Sequence, residues 1–358
     1  MIKELIHRAS NRVDFVVVSR QLATDLRPLV EWRRAPAPGT PHKLKYGIFF
    51  LTGAVQLLGA RVDLVHVHAS GPTVPNRADV TSVHLSRAGW FEALGILGPG
   101  GLPRYKQLSP RIHVAVERWC FRRSRILAGV SSAEKAVLER LYPGPPVVVT
   151  PNGVDVNRFR PAPAVRAEVR AAEGSVEDHD VVILFVGNSW NRKGLAVAIE
   201  GFAEARRTGH GPAWLWVAGY GDEERYRAYA ERHGVGDRIR FFGLRSDVER
   251  LMQAADVFAQ PSSYETFCLA AYEAAACGVP VVATGVGGIA ELVGDNEAGI
   301  LVQRDGRDVG RALGVLASDS ELRRGMGAAG HERARGYTWD RMVESVLATY
   351  ERLLGISL

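Results

Sequence analysis

Two glutamates eight residues apart, Glu265 and Glu273, bracket the segment of this chain best suited to chemistry. Between them Thr266-Phe267-Cys268-Leu269 leads from Phe258-Ala259-Gln260-Pro261 into the helix-forming Ala270-Ala271-Tyr272-Glu273-Ala274-Ala275-Ala276. A helix start presents free backbone N–H groups and the positive end of the peptide dipole, which suits a phosphate. Treated as helix, eight residues rise about 12 Å, the reach of a sugar-diphosphate-ribose unit. Two carboxylates so spaced could hold two hydroxyl-rich ends, with phosphates at the helix start. Carboxylate pairs that hydrolyse one glycosidic bond lie only about 5–9.5 Å apart, which argues against a hydrolase. The spacing alone is equally met by a dipole-favoured acid at 265 and an amphipathic one at 273.

A second cluster, Gly187-Asn188-Ser189-Trp190-Asn191-Arg192-Lys193-Gly194, follows the apolar run Val181–Val186. Arg192 offers forked donors and Lys193 a point charge, a pairing suited to a diphosphate, although adjacent cations before a helix also read as a solvated pair. Val217-Ala218-Gly219-Tyr220-Gly221-Asp222 is a third strand end, and it lacks the third glycine of a dinucleotide fingerprint, which counts against a dehydrogenase. His66 and His68 close one β-branched run and His84 closes the next. Each could hydrogen-bond a sugar hydroxyl, or serve as a core histidine. Two imidazoles at i, i+2 with no third ligand nearby make a weak metal signal. Asp178-His179-Asp180 precedes a strand rather than following one and reads as a solvated loop. No metal site is expected.

The elements that must position these groups are short β-branched runs separated by helical patterns. They fall at Val13–Val18, Val62–His68, Asp79–His84, Ile126–Val130 and Val147–Thr150, then at Val181–Gly187, Ala213–Ala218, Arg238–Phe242, Asp256–Ala259, Val279–Ala283 and Gly299–Val302. Continuous apolar runs alternating with helices mark parallel sheets buried on both faces. Each half has enough for its own doubly wound sheet, so the expected class is α/β: two Rossmann-like domains facing a cleft. Pro151-Asn152-Gly153 breaks the pattern, and Pro161 and Pro163 mark a linker. Expected domains are 1–160, 161–337 and a terminal helix over 338–358 that packs back on the first. That helix carries Trp339, Met342, Val343, Val346, Leu347, Tyr350 and Leu353 on one stripe.

Of 358 residues, 46% are apolar and 23% charged, the balance of a globular chain that excludes disordered, collagen-like and disulfide-scaffold classes. Cys120, Cys268 and Cys277 form no C-x-x-C pair, the usage of a reducing cytosol. Met1–Ser10 shows no signal-peptide pattern, and the longest nearly uncharged stretch, Tyr46–Ala60, is too short to span a bilayer. Residues 1–150 hold 21 Lys and Arg against 10 Asp and Glu, whereas the remainder holds 24 against 29. A basic first half suggests an anionic partner. No zinc-finger or RNA-binding signature is present, so nucleic acid is set aside in favour of an anionic membrane surface or a phosphorylated acceptor. Trp90–Leu97, just after His84, reads as an apolar, basic lip for such a surface or as a loop that simply packs, and Arg118, Arg122, Arg123 and Arg125 as a basic cluster or a solvated face.

Taken together, the second half resembles the retaining GT-B glycosyltransferases of family 4, the glycosyl transferases group 1. The resemblance runs in order through Phe185-Val186-Gly187, Arg192-Lys193-Gly194, Val217-Ala218-Gly219-x-Gly221 and Phe242-Gly243. It continues through Gln260-Pro261-Ser262, the Glu265/Glu273 pair, Cys277-Gly278-Val279-Pro280, Gly287-Gly288-Ile289-Ala290-Glu291 and Gly299-Ile300-Leu301-Val302. With Ala128-Gly129-Val130-Ser131, Pro151-Asn152-Gly153-Val154-Asp155 and the terminal helix it covers most of residues 126–355.

The resemblance implies a hexosyl transfer from a nucleotide-diphosphate sugar to an acceptor hydroxyl, with retention and without metal or other cofactor. The product would be a cell-surface glycan, a glycolipid or a glycosylated metabolite. By its motif Glu273 would hold the ribose and Glu265 the donor sugar. Arg192 and Lys193 would neutralise the departing diphosphate beside Gly187 and Gly219, with the N–H groups of Phe267, Cys268 and Leu269. His84 would reach the sugar from the first domain, and the phosphate would itself take the acceptor proton. The setting implied is the cytosol, at the inner membrane face where the acceptor is lipid-linked. A phosphorylase or synthase of similar chemistry and a non-catalytic sugar-nucleotide binder remain as alternatives.

This chain departs from the pattern in Cys268 for glycine, Asn188 for arginine and Leu85 for aspartate. The family opens with a strand and a glycine-rich loop that the sequence does not show. The expectation is therefore that Met1 is not the natural start and that about 30–40 upstream residues supply both.

Overall fold

The structure, a computed structural model, describes residues 1–37, 42–69, 78–96, 108–172, 176–207, 209 and 211–358. The chain divides into two compact units, Met1–Gly153 with Trp339–Leu358, and Val154–Thr338. The division falls at Gly153 rather than at 160. Val154 donates to the Tyr337 carbonyl at 2.7 Å, and Arg158 reaches the Ser246 carbonyl at 2.6 Å, so this stretch is built into the second unit.

In the first unit, helix α1 (Ile2–Ala9) precedes β1 (Phe15–Ser19), β2 (Val30–Arg34), α2 (His42–Leu58), β3 (His66–Ala69) and β4 (Val80–Val83). Then come α3 (Arg87–Ala93), α4 (Leu108–Phe121), β5 (Ile126–Gly129), α5 (Ser132–Leu141) and β6 (Val147–Val149). All strand pairings are parallel, β1 with β2 in one sheet and β3-β4-β5-β6 in another. Among the described residues β1 and β3 each have a strand partner on one side only. Central β4 and β5 are buried throughout, whereas apolar β1 is only half-buried along its whole length. Sequence reading did not anticipate β2. Its Val-Glu-Trp-Arg-Arg run carries the charges of an edge strand, and Glu31 and Arg33 pair with each other at 2.7 Å.

Of the two readings of Trp90–Leu97, the packed loop is the one that its aromatic residues follow. Ser86 caps α3 by accepting from Gly89 N at 3.0 Å, which turns Phe91 inward, while Trp90 and Ile96 pack on the same cluster. Leu94 is exposed, and Leu97 lies outside the described residues.

In the second unit, α6 (Pro163–Ala172) precedes β7 (Val182–Val186), α7 (Trp190–Lys193), α8 (Leu195–Arg207), β8 (Trp214–Ala218), α9 (Glu223–Arg232) and β9 (Ile239–Gly243). It continues with α10 (Val248–Ala254), β10 (Val257–Gln260), α11 (Leu269–Ala276), β11 (Val281–Thr284), α12 (Ile289–Val293), β12 (Gly299–Val302), α13 (Gly306–Ser318) and α14 (Ser320–Arg335). The six strands are parallel in the order β12-β11-β10-β7-β8-β9, the doubly wound arrangement. The chain winds outward from β7 in one direction and from β10 in the other, so the crevice at their carboxyl ends is a topological switch point. At the opposite ends, Asp256 accepts from Val182 N at 2.8 Å, Arg166 at 2.7 Å and buried Arg170 at 2.5 Å. This staple ties the start of β7 and helix α6 to Asp256, just before β10.

Helix α15 (Trp339–Leu354) returns the chain to the first unit. Met342, Val343, Val346, Leu347 and Tyr350 are buried against Leu5 and Ala9 of α1 and Val80 and Ala128 of the sheet. The ion pairs Arg8–Asp340 and Arg12–Glu344, each at 2.6 Å, border that contact. Among the described residues no helix is long and apolar enough to cross a membrane.

Candidate functional site

The switch point gathers the residues singled out in the second half. Strand β7 ends at Val186, and Gly187 turns the chain at φ 149° into the loop before α7. A Cβ on Gly187 would lie 2.3 Å from Lys193 Cδ, so the glycine vacates the path that the lysine stem follows. Trp190 is buried against Tyr226 and Phe241, which anchors the single turn carrying Arg192 and Lys193. Gly194 then meets the next strand end. A Cβ there would sit 2.0 Å from the Pro261 carbonyl oxygen. No larger residue lets the two loops close to this distance.

Beyond β10, Glu265 is 9% exposed and its Oε1 receives Lys193 Nζ at 3.0 Å and Ser262 Oγ at 3.0 Å, with Arg192 Nη1 at 3.2 Å. Arg192 also donates to the Tyr264 carbonyl at 2.7 Å, and Ser263 N donates back to the Arg192 carbonyl at 2.8 Å. With its amide assigned to suit its neighbours, Gln260 would accept from Lys193 Nζ and donate to the Val186 carbonyl. Two cations on one carboxylate leave the cluster net positive. In a largely buried setting such charge-assisted bonds are strong and directional.

Helix α11 begins at Leu269, not at Glu265, so the stretch from Glu265 to Cys268 is a loop and the uniform helical rise between the two glutamates does not hold. Cys268, the residue before the helix, takes a left-handed backbone at φ 71°, a conformation that favours glycine. Its thiol is buried, and burial pushes it up to about 12, so it is inert. Among the described residues the backbone N–H groups of Phe267, Cys268 and Leu269 have no acceptor, as expected at a helix start. Phe267 stacks on Tyr272 at 4.1 Å, and the Tyr272 hydroxyl donates to the Gly288 carbonyl at 2.7 Å, which fixes the loop above α11.

Glu273 lies half-buried one turn into α11. Burial pushes its carboxyl up to about 7, opposed by the charge of Arg158 and reinforced by that of Glu249. Arg158 itself pairs with Glu249 Oε2 at 2.5 Å. Gly219 packs against the Gly187 carbonyl, where a Cβ would come within 2.2 Å, and Gly221 makes room for the Trp190 ring in the same way. The full dinucleotide spacing occurs once, at Gly325-x-Gly327-x-x-Gly330, but inside helix α14, where Gly327 packs on the Gly278 carbonyl. It forms no phosphate loop.

Three contributors were given no role in the sequence reading. Ser262 bonds Glu265, and its signal was its place three residues before that acid. Arg158 stands near Glu273 and is flagged only by its neighbourhood to the Asn152-Gly153-Val154-Asp155 turn. Arg304 donates to the Pro261 carbonyl at 3.2 Å and the Asn191 carbonyl at 2.9 Å, tying both loops together from the end of β12. Nothing in its local sequence marks it.

His84 belongs to the first unit and follows β4. The register His66↔Val80 and His68↔Ser82 sets His66, His68 and Ser82 on one face. His66 bonds the Tyr350 hydroxyl at 2.5 Å and Ser82 Oγ at 2.8 Å, and His68 Nδ1 lies 3.2 Å from His84 Nε2. Burial, and the repulsion of neighbouring positive charge, hold all three neutral, His66 down to about 3 and His84 down to about 4. Among the described residues no group of three His, Cys, Asp or Glu could hold a metal ion. Asp180 accepts from Glu177 N at 2.9 Å within its own exposed loop, and His179 is solvated.

The family model described as Glycosyl transferases group 1 matches residues 166–333, and that described as Glycosyltransferase Family 4 matches residues 1–158. A D-inositol 3-phosphate glycosyltransferase of Segniliparus rotundus is 34% identical over 63% of this chain, a match spanning only about half (51%) of that relative's length. The protein of the same name from Salinispora tropica is 31% identical over 96% of this chain and 78% of its own. Among solved structures, WaaG, a glycosyltransferase involved in lipopolysaccharide biosynthesis, superposes with a TM-score of 0.79 at 20% identity, covering 96% of this chain and 93% of WaaG. Anabaena Alr3699/HepE in complex with UDP superposes with a TM-score of 0.74 at 18% identity, covering 98% and 95%. The last two show the fold, which is GT-B.

Proposed function

This chain belongs to the group 1 glycosyltransferases, and from that premise we propose that it moves a sugar from a nucleoside-diphosphate sugar to an acceptor hydroxyl with retention of configuration. The observation that carries the reading is the cluster of Lys193 and Arg192 on Glu265 at the β7/β10 switch point, beside the unpaired N–H groups that open α11. That is a site for a diphosphate whose charge grows as the bond to the sugar breaks. Arg192, Lys193 and the N–H groups of Phe267, Cys268 and Leu269 stabilise that charge. Glu265 accepts from sugar hydroxyls and shares its cations with the phosphate. Glu273 accepts from the ribose, and His84 contributes a neutral hydrogen-bonding group to the sugar. In this reading the charge is met by protein cations and helix-start N–H groups rather than by a metal.

The acceptor fits the same logic. A first half with 21 Lys and Arg against 10 Asp and Glu suits an anionic, phosphorylated acceptor, and the relatives named above are inositol 3-phosphate glycosyltransferases. Helix α4 adds a surface for peripheral membrane contact on the cytosolic side. Its exposed Leu108, Ile112 and Trp119 stand among exposed Arg111, Arg118 and Arg122, and Glu117, the helix's acid, is buried away from them. Support comes from apolar and basic groups on one face, the pattern of an interfacial helix.

The test is release of nucleoside diphosphate from a panel of nucleotide sugars, with inositol 3-phosphate and unphosphorylated inositol as acceptors. NMR of the product gives its anomeric configuration. Turnover to a retained product, faster with the phosphorylated acceptor, supports the reading; failure of every nucleoside diphosphate to bind overturns it. Sedimentation with anionic but not neutral vesicles, lost in Ile112→Ser with Trp119→Ser, tests the membrane contact.

A further inference from the structure

We propose that Arg304 is a positioning residue of the diphosphate site: its guanidinium fixes the turn α7 and so sets where Lys193 and Arg192 stand. The inference rests on the reading above for what that turn holds. A single helical turn leaves its last carbonyls without helical partners, and these need donors from elsewhere. In α7 the Trp190 carbonyl accepts from Gly194 N at 3.0 Å, and the Arg192 carbonyl accepts from Ser263 N at 2.8 Å and Ser263 Oγ at 3.1 Å. The Asn191 carbonyl accepts from Arg304 Nη2 at 2.9 Å. The same guanidinium donates from Nε at 3.2 Å to the Pro261 carbonyl, the oxygen over which Gly194 closes. One planar fork thus spans the turn after β7 and the loop after β10.

The arginine is itself held in place. Helix α13 packs on α8, where a Cβ on Gly201 would lie 2.4 Å from Val309 Cγ1, so the chain leaving edge strand β12 runs back across the sheet toward the helix that follows α7. Gln303 N donates to Asp308 at 2.7 Å, and Asp305 caps α13 by accepting from Arg307 N at 3.0 Å and Asp308 N at 3.1 Å. The residues on both sides of Arg304 are thereby fixed. The ties between the two loops then differ in kind. Lys193 and Arg192 reach Glu265, and Arg192 reaches the Tyr264 carbonyl, with the same groups that a diphosphate would draw away. The bonds of Arg304 and Ser263 end on backbone carbonyls and use none of those groups. Arg304 therefore joins the loops from a third strand end through bonds that ligand binding does not consume.

The experiment uses the full chain and reads the turn first without any ligand. Arg304 is exposed, so Arg304→Ala opens no core and should melt within a few degrees of wild type. Amide hydrogen exchange at Lys193 and Gly194, whose N–H groups close the turn, should quicken about 10-fold in that variant, the weight of a hydrogen bond from a charged donor, while amides of β10 and β11 keep their rates. Affinity for UDP, ADP or GDP, whichever binds wild type most tightly, should fall about 10-fold, and kcat up to about 100-fold, the cost of a group about 1 Å out of place. In a Lys193→Ala background the same substitution should cost little further, because the group it positions is gone; losses that simply multiply overturn the proposal. Arg304→Lys keeps the charge without the fork and should recover only a minor part of the affinity. Full recovery would assign the effect to charge alone and overturn the proposal as well. Unaltered exchange at Lys193 and Gly194 overturns the hold itself. Failure of all three nucleotides to bind wild type overturns the reading of the site, and the exchange rates still decide whether Arg304 holds the turn.

Discussion

Gly187 and Lys193 compete for one volume, since a Cβ on the glycine would stand 2.3 Å from Cδ of the lysine and 2.6 Å from Cε. The lysine stem fills the space the glycine vacates, and only so does Nζ come to 3.0 Å from Glu265. The first residue after β7 therefore governs the position of a cation six residues later.

Gly187→Ala should accordingly act on catalysis rather than on the global fold. Alanine at φ 149° is strained by about 1–3 kcal/mol, and its methyl displaces Nζ from the crevice. The expected outcome is a thermal midpoint lowered by a few degrees and a kcat reduced toward that of Lys193→Ala, about 10²- to 10³-fold for a lost charge-stabilising group. Melting curves and initial rates check both.

The two glutamates should divide their labour. Glu273→Ala is expected to weaken binding of free nucleoside diphosphate. Glu265→Gln should leave that binding intact or tighten it, because Lys193 and Arg192 then lose a competing anion, while turnover falls. Calorimetric titration of both variants decides this, and equal losses of nucleotide binding would remove the distinction.

Binding should depend on pH through Glu273. Its carboxyl stands at about 7, above its ordinary value because of burial, and the carboxylate is the better acceptor for ribose hydroxyls. Nucleotide affinity should therefore rise as pH passes upward through 7, and Glu273→Gln should flatten the profile. Stability has the opposite sign. The folded state binds this proton more tightly than the unfolded chain, so the free protein loses stability as pH climbs from about 4.5 through 7. Chemical denaturation at pH 5 and pH 8, without ligand, measures that loss against the Gln variant.

Cys268 should tolerate glycine and reject β-branched residues. At φ 71° a side chain costs about 1–2 kcal/mol, roughly what burying the small thiol returns. Cys268→Gly is expected to leave stability within about 1 kcal/mol and to preserve turnover, whereas Cys268→Val should destabilise the α11 entry and impair both. Urea midpoints and initial rates of the two variants check this.

Charge neutralisation by Arg192 and Lys193 also predicts that turnover survives chelation. Rates in excess EDTA should equal those in Mg²⁺, and a rate abolished by EDTA and restored by Mg²⁺ would overturn a metal-independent transfer.

The alternation of apolar runs and helices determined by itself that this is an α/β chain with two parallel-sheet units, because strands buried on both faces need continuous Val, Ile and Leu. All six strands of the second unit lie where those runs do. Glu265, Glu273, Arg192 and Lys193 were legible as candidates because ligands meet parallel sheets at strand ends, and strand ends can be counted along the sequence. Tertiary structure alone decided which of them touch. Arg192 and Lys193 are 73 and 72 residues from Glu265, and they meet it only because β7 and β10 are neighbours at the point where the winding reverses. Arg304 and His66 follow the same rule. Their partners are brought by strand order and by a helix from the far end of the chain, through contacts that no local spacing encodes. The glycine-like backbone of Cys268 and the burial that lifts Glu273 belong here too, because φ and solvent exposure are set by what packs around a residue rather than by its neighbours in sequence.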